Sequence, residues 1–350
     1  MTPRHSSRPV RSLALALAFA VVLVGCVQSP VKPASTGATA AGGDLLAKLE
    51  AAPAPDLDGA GVAKWLDAFV NAHHPRLTGS PDEKAAGDDL AAQLQKLGYE
   101  VQRLKYDAQG LPSADGPLQV VLAVKKGTTM ADHLVIAGAH YDTAPVGTAL
   151  LSPVPVGPPP LYATYDNGSG TAMVMELARL LAHASTTRTV EFAFFNGEEE
   201  GVLASTAYAR DLAAKGAHVD AYLGFDMVGI GYPSKAGCLC IYAGKKFSAD
   251  LNPVQETVAF GLLKLPRGND TVQVFDNHDK RNSDEASFAS AGFPTMRWAG
   301  LALAGDYWAY HKLNDTMDTM VQAGGPIPLA LGMQTASETA YYTILALDAR

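Results

Sequence analysis

Residues 170–227 read GTAMVMELARLLAHASTTRTVEFAFFNGEEEGVLASTAYARDLAAKGAHVDAYLGFDM. The stretch alternates between two patterns, predicting helices over residues 170–184 and 202–214 and strands over residues 189–195 and 221–227. Such alternation is typical of α/β folds with a largely parallel sheet. We therefore expect an α/β protein.

Further elements extend the pattern in both directions. Strand-like runs lie at residues 99–106, 118–124, 133–139, 239–242, 272–275 and 295–298, and helix-like runs at residues 44–50, 61–72 and 328–347. Ser80 and Pro81 predict the start of another helix, which ends at Gly98. We find no internal repeat, which favours a single folded domain over residues 44–350.

The N-terminus has a different composition. Three arginines precede an apolar run over residues 13–24, which is short for a membrane span and typical of a signal peptide. The run leads to Cys26 in a motif that resembles the lipobox of bacterial lipoproteins, whose cysteine is acylated and becomes the first residue. We predict a lipoprotein signal peptide over residues 1–25 and a flexible tether over residues 26–43.

The predicted anchor and the charge balance restrict the partners. A lipid at Cys26 would attach the chain to a membrane outside the cytoplasm, and Val27 in place of Asp indicates the outer membrane of a host that has one. The chain has 27 basic and 35 acidic residues, and loss of residues 1–25 would remove three arginines and no acid. Nucleic acid binding needs a positive surface, so we expect no nucleic acid partner.

The other two cysteines are Cys238 and Cys240, two residues apart in a strand-like run. A disulfide within one extended strand is strained, and two thiols alone do not form a zinc site. We therefore predict core or free thiols.

Five residues of metal-binding type occur where strand-like runs end or within loops. They are His140, Asp166, Glu199, Asp226 and His311. Open α/β folds place their ligand sites at the carboxyl ends of strands, so we expect these side chains to meet. Two histidines and three carboxylates can hold two zinc ions if one carboxylate bridges them, and such sites catalyse hydrolysis.

Two acidic residues adjoin these ligands. Asp142 lies on the same side of an extended backbone as His140 and can accept its second imidazole N–H. Glu198 precedes Glu199, and adjacent side chains at a strand end point in different directions, so one can bind metal while the other faces water. Taken alone, this acidic segment is equally consistent with a solvated helix start.

The order of these motifs resembles the co-catalytic dizinc aminopeptidase family, zinc-dependent exopeptidases related to glutaminyl cyclases and glutamate carboxypeptidases. The motifs are HYD at 140–142, DNGSG at 166–170, GEEEG at 197–201, FDMVG at 225–229 and YH at 310–311, with RLTGS at 76–80 and SDEASF at 283–288. The resemblance runs from Arg76 to the C-terminus. It implies a three-layer α/β/α zinc-exopeptidase fold with a central mixed, largely parallel sheet, a zinc peptidase domain over residues 44–350, and peptides as substrates.

The resemblance also implies a ligand set for two Zn²⁺ ions per chain. His140 and Asp226 would hold the first ion. Glu199 and His311 would hold the second, and Asp166 would bridge the two.

Three further roles are implied by the same motifs. Glu198 would be the general base, and Asp142 would support His140. Tyr310 resembles a family tyrosine that hydrogen-bonds the tetrahedral oxyanion; a packing aromatic is the alternative.

Other functions remain open. A glutaminyl cyclase of the same family would need only one zinc ion, and a carboxypeptidase would need a basic group such as Arg281 or Arg297 for the substrate carboxylate. A surface lipoprotein that binds without catalysis is a third alternative. A serine hydrolase is disfavoured because no Gly-x-Ser-x-Gly motif occurs, and Ser169 fits a turn at a helix start. The proline-rich loop over residues 143–164 is long for this family, so the sequence leaves the choice of substrate open. Among these functions, the motifs favour an aminopeptidase.

Overall fold

The architecture is that of a computed structural model, which describes residues 40–144, 163–230, 239–244, 246–267, 272–275, 283–300, 307–324 and 328–350. The predicted signal peptide with Cys26, and residues 145–162 of the proline-rich loop, lie outside the described residues. Within the described ranges, no helix is both long and apolar enough to cross a lipid bilayer.

Within these ranges, eight strands form one mixed sheet in the order β1-β2-β4-β3-β5-β8-β6-β7. The strands are β1 Glu100–Tyr106, β2 Leu118–Lys125, β3 Met130–His140, β4 Arg188–Phe195, β5 His218–Phe225, β6 Leu239–Ala243, β7 Val272–Phe275 and β8 Thr295–Ala299. The central strands β4, β3, β5 and β8 run parallel, whereas β1, β2 and β6 add antiparallel pairings.

Helices cover both faces of this sheet. They are α1 Ala40–Glu50, α2 Gly59–Ala72, α3 Pro81–Lys96, α4 Ser169–Leu181, α5 Leu203–Ala214, α6 Ser248–Glu256, α7 Glu285–Ser290, α8 Met317–Gly324 and α9 Leu329–Asp348. Alternation along β3 sends Val135 and Ala137 into a core with α3, α4 and α9, and Ile136 into a second core with α5 and α7. Two apolar cores on opposite faces make the predicted three layers, and the α/β/α expectation is confirmed.

Local signals in the sequence located most elements well. The hydroxyl of Ser80 accepts the backbone N–H of Glu83, Pro81 opens α3, and Gly98 follows its end with a positive φ of 90°. Helix α1 begins at Ala40, inside the range predicted as tether, and the short helices α6, α7 and α8 were not predicted. These helices are too short for a clear apolar period, and α6 contains Pro253.

The cysteine prediction needs a correction. Cys240 is disulfide-bonded, so it is not a free thiol. A bond was disfavoured because both cysteines were expected within one extended strand; Cys240 does lie in β6, and it is buried in the core as expected. Cys238 lies outside the described residues.

Candidate metal centre

Three parallel neighbours deliver ligands to one edge of the sheet. His140 is the last residue of β3, Glu199 lies in the turn after β4, and Asp226 directly follows β5. Because β4, β3 and β5 are adjacent and parallel, their carboxyl ends lie together, where open α/β sheets place ligand sites.

The other two ligand candidates come from loops beside this edge. Asp166 lies in the irregular turn Thr164–Gly168 that leads into α4, and His311 lies between Tyr307 and α8. His311 has a φ of 53°, and so does Met227, the residue after Asp226. Non-glycine residues in the left-handed region are uncommon and cluster at functional sites.

Asp166 lies between two pairs of ligand candidates. Its Oδ1 is 3.4 Å from His140 Nε2, which is 4.0 Å from Asp226 Oδ1. Its Oδ2 is 3.1 Å from His311 Nε2, which is 3.2 Å from Glu199 Oε2. Zinc–ligand bonds near 2.0–2.1 Å in a tetrahedral arrangement place neighbouring ligand atoms about 3.3 Å apart. The spacing therefore suits one ion on each side of Asp166.

Unsatisfied polar atoms indicate that cations belong there. Glu199 Oε1 and Asp226 Oδ1 are buried without a hydrogen-bond partner, although uncompensated buried carboxylate oxygens are costly. His140, Asp166 and Asp226 are at most 6% exposed. Three carboxylates and two imidazoles form a donor set of the kind that zinc takes, so the residues fit the metal.

The electrostatics of the cluster lead to the same conclusion. Burial, with the charge of Asp166, raises the pKa of Glu199 to about 7. Burial opposes the charged form of His311, but its hydrogen bonds with Asp166 and Glu199 outweigh that effect and raise its pKa to about 10. The cluster thus favours bound positive charge, which metal ions would supply.

Asp142 connects two of the strand ends. Its Oδ1 lies 3.4 Å from His140 Nδ1, and it accepts the backbone N–H groups of Glu198 at 3.3 Å and Glu199 at 3.2 Å. It also accepts the hydroxyl of Thr78 at 3.1 Å. One fully buried carboxylate therefore faces the imidazole of His140 and also fixes the turn that carries both glutamates. The second contact was not predicted.

Asp315, a residue outside the predicted site, holds the turn of Asp166 through backbone hydrogen bonds. It accepts the backbone N–H of Tyr165 at 3.0 and 3.2 Å and that of Asp166 at 3.0 Å, each through its carboxylate. The hydroxyl of Tyr307 donates a fourth hydrogen bond at 2.7 Å. Its place four residues after His311 was visible in the sequence, but its contact with Asp166 was not.

The side chains of DNGSG secure the same turn to the end of β5. Asn167 donates to the carbonyl of Phe225 at 2.9 Å and accepts from the backbone of Gly170 at 2.9 Å. The hydroxyl of Ser169 donates to the carbonyl of Tyr165 and accepts the N–H of Val228. Ser169 is therefore a buried turn residue, as expected from its position at a helix start.

Arg297 has a different role from the one considered. Its guanidinium is buried, donates to Asp226 Oδ2 at 2.9 Å and lies 3.5 Å from Glu285 Oε1. It therefore orients a ligand candidate and is not available for a substrate carboxylate. Arg281, the other candidate for that task, lies outside the described residues.

Glu198 and Tyr310 border the metal candidates. Glu198 Oε2 is 3.8 Å from His140 Nε2, and burial raises its pKa well above its usual value. The ring of Tyr310 stacks on His311 with centroids 3.8 Å apart. Burial, with the charges of the nearby carboxylates, raises the pKa of Tyr310, so its hydroxyl keeps its proton.

Arg76 explains why RLTGS accompanies the ligand motifs. Its fully buried guanidinium donates to the carbonyls of Tyr141 at 2.6 Å and Ala163 at 3.0 Å. These carbonyls flank the segment that joins His140 to Asp166, so one side chain holds both ends of the proline-rich loop beside the site.

Comparisons with known proteins relate this arrangement to a family. A protein-family model described as Peptidase family M28 matches residues 119–325. The chain is 35% identical to an aminopeptidase of Pseudomonas aeruginosa over 111 residues, which are 31% of this chain and 18% of that protein. It is 27% identical to leupeptin-inactivating enzyme 1 of Streptomyces exfoliatus over 305 residues, 85% of this chain and 59% of the relative. The matches thus span less than two thirds of both relatives.

Solved structures share the fold. A leucine aminopeptidase precursor from Bacteroides thetaiotaomicron superposes with a TM-score of 0.64 at 18% identity, over 83% of this chain and 98% of that one. A glutaminyl cyclase from the same species gives a TM-score of 0.62 at 18% identity, over 83% and 99%. At this identity the superpositions establish the fold alone.

Proposed function

Since the chain belongs to peptidase family M28, we propose that it is a zinc aminopeptidase, which releases N-terminal residues from peptides. The observation that carries the proposal is the position of Asp166, whose two oxygens face one histidine each at 3.4 and 3.1 Å. His140 and Asp226 would hold one zinc ion, and Glu199 and His311 the other. Asp166 would bridge them.

Bound zinc would supply Lewis acidity, activating a water molecule and polarising the scissile carbonyl. Glu198 takes the proton from the attacking water and passes it to the leaving amine, which is general acid–base work. The hydroxyl of Tyr310 donates a hydrogen bond to the oxyanion that forms. Asp142 orients His140 and keeps Glu198 in place through its backbone N–H.

The proposal extends to the N-terminus. Cys26 would carry a lipid that anchors the enzyme on the extracytoplasmic side of a bacterial membrane, with residues 1–25 removed. Mass spectrometry of the N-terminal peptide from cells would detect the acylated Cys26. Cys26→Ser should release the protein from the membrane fraction; a variant that remains in the membrane fraction would contradict the lipid anchor.

One peptide series separates the proposed activity from its alternatives. A peptide with an N-terminal glutamine is supplied free and N-acetylated, and the products are identified by mass spectrometry. The full chain is tested as purified, after chelation and after the return of zinc. An aminopeptidase releases glutamine from the free peptide only, loses activity with chelator and regains it with zinc.

Each alternative gives a different product. A glutaminyl cyclase releases ammonia and leaves a cyclised peptide, and a carboxypeptidase shortens both peptides from the other end. A protein that only binds peptides changes neither. Glu198→Gln is the matched control, because it keeps a side chain of the same size but cannot take a proton. It should bind zinc as the wild type does and lose about 100-fold or more in kcat.

A further inference from the structure

A second group of metal-binding residues lies at the opposite end of the sheet. His133, near the start of β3, is paired in register with His218, the first residue of β5, and Asp220 follows on the same strand. His133 lies seven residues before His140, which corresponds to about 23 Å along an extended strand. The group is therefore separate from the candidate metal centre.

A bulge between the strands brings the carboxylate to the two imidazoles. Leu134 pairs with Val219 and Val135 with Ala221, which leaves Asp220 as the additional residue on β5. Such a bulge redirects a side chain. Asp220 Oδ1 lies 3.1 Å from His133 Nδ1 and 3.4 Å from His218 Nε2.

These distances match a metal site. The three donor atoms lie within 4.8 Å of one another, and the two distances to Asp220 Oδ1 are close to the ligand–ligand spacing of about 3.3 Å in a tetrahedral zinc site. The imidazole rings lie 3.7 Å apart between centroids, and one nitrogen of each lies within 3.4 Å of the same carboxylate oxygen. His218 is 60% exposed, which leaves an open coordination position for water.

Arg188 lies beside Asp220 but does not contact Oδ1, the oxygen that faces both imidazoles. Arg188 Nε donates to the other oxygen of Asp220, Oδ2, at 2.5 Å. The rest of its guanidinium donates to the carbonyls of Asp348 at 3.0 Å and Arg350 at 3.3 Å. Carboxylates that bind metal commonly accept such an outer hydrogen bond, which fixes their orientation. His133 Nδ1 is also 3.0 Å from Oδ2, so without a metal it shares its contact between both oxygens.

From this geometry we propose that His133, His218 and Asp220 bind a divalent transition-metal ion of the zinc type, cross-linking β3 and β5 at the edge of the sheet opposite the candidate metal centre. Imidazole ligands favour zinc, copper and nickel over magnesium or calcium. Because the open site is formed by the folded strands, the bound ion stabilises the native state. The proposal does not depend on the proposed activity.

The test counts zinc ions and locates one of them. The full chain is stripped with chelator and dialysed to equilibrium against increasing free Zn²⁺, together with His218→Ala and His183→Ala. His183 is an exposed histidine elsewhere on the surface, so it is the matched control. The wild type and His183→Ala should bind one more ion per chain than His218→Ala. Zinc should also raise their melting temperatures by more than it raises that of His218→Ala.

Equal numbers of bound ions in wild type and His218→Ala would overturn the proposal and leave an ordinary polar cluster. The readout is a difference between two proteins, so it holds whether or not the candidate metal centre is occupied. If His218→Ala fails to fold, His133→Gln tests the same ligand set. Loss of one ion from that variant supports the site, and no loss rejects it.

Discussion

Asp315 gives the most specific test of how the structure holds Asp166, the proposed bridging ligand. The variant Asp315→Asn keeps the size of the side chain but replaces one acceptor oxygen by an N–H₂ donor. The carboxylate now accepts four hydrogen bonds from three donors, the N–H groups of Tyr165 and Asp166 and the hydroxyl of Tyr307. An asparagine has only one acceptor oxygen, so some of these donors would face its N–H₂ group and lose their acceptor.

The size of the effect follows from these contacts. A buried donor left without its acceptor costs about 1–3 kcal/mol. The loss falls on the turn that presents Asp166, so we expect zinc to bind about 10- to 100-fold more weakly, as when other outer contacts of metal ligands are removed. Affinity is measured by competition with a chromogenic chelator on the stripped full chain.

Tyr307→Phe is the matched control for this variant. It removes one donor to Asp315 but leaves both backbone contacts, and the ring keeps its edge-to-face contact with Tyr165 at 4.8 Å. We expect a smaller loss of zinc affinity than for Asp315→Asn, because the carboxylate still accepts both backbone N–H groups. If Asp315→Asn binds zinc as tightly as the wild type, the carboxylate does not position Asp166. If its melting temperature falls while its zinc affinity is unchanged, the role is structural only.

Three further outcomes are expected. Tyr310→Phe should lower kcat about 100-fold with unchanged zinc affinity, because one donor to the oxyanion is lost; an unchanged kcat would leave Tyr310 as a packing aromatic. Chelation should lower the melting temperature, since the buried oxygens of Glu199 and Asp226 lose their cations. Free zinc at 100 times its Kd should restore about 2.7 kcal/mol of the free energy of unfolding. A melting temperature insensitive to zinc contradicts this. Burial raises the pKa of Glu191 despite its hydrogen bond from Tyr208, so the wild type loses stability as pH rises from about 4.3 through the raised value. The melting temperature of Glu191→Gln should therefore rise relative to that of the wild type as pH increases across that range. A difference in melting temperature that does not change with pH would refute the assignment.

Local patterns in the sequence predicted most of the secondary structure. The strands and the longer helices of the described part of the chain have clear periods or caps, such as Ser80 and Pro81 before α3. Each lies within a few residues of its predicted range. The ligand candidates also have local signals, because His140 and Asp226 stand where apolar strands end. The structure brings them together with Asp166, as the order of motifs implied.

The supporting contacts could not be predicted in this way. Asp315 contacts a residue 149 positions earlier, and Arg297 pairs with Asp226 across 71 positions. Such contacts depend on the paths that loops take over the edge of the folded sheet. Neither apolar periodicity nor capping residues determine those paths. The same reason applies to His133 and His218, whose pairing follows from the register of β3 and β5.

The most direct test of the central claim is anomalous X-ray diffraction from crystals of the zinc-loaded protein, with data collected on both sides of the zinc absorption edge. The account predicts two zinc peaks flanking Asp166, one beside His140 and Asp226 and the other beside His311 and Glu199. A single peak there, or none, would contradict the bridging role of Asp166 and the two-zinc site on which the proposed aminopeptidase mechanism depends.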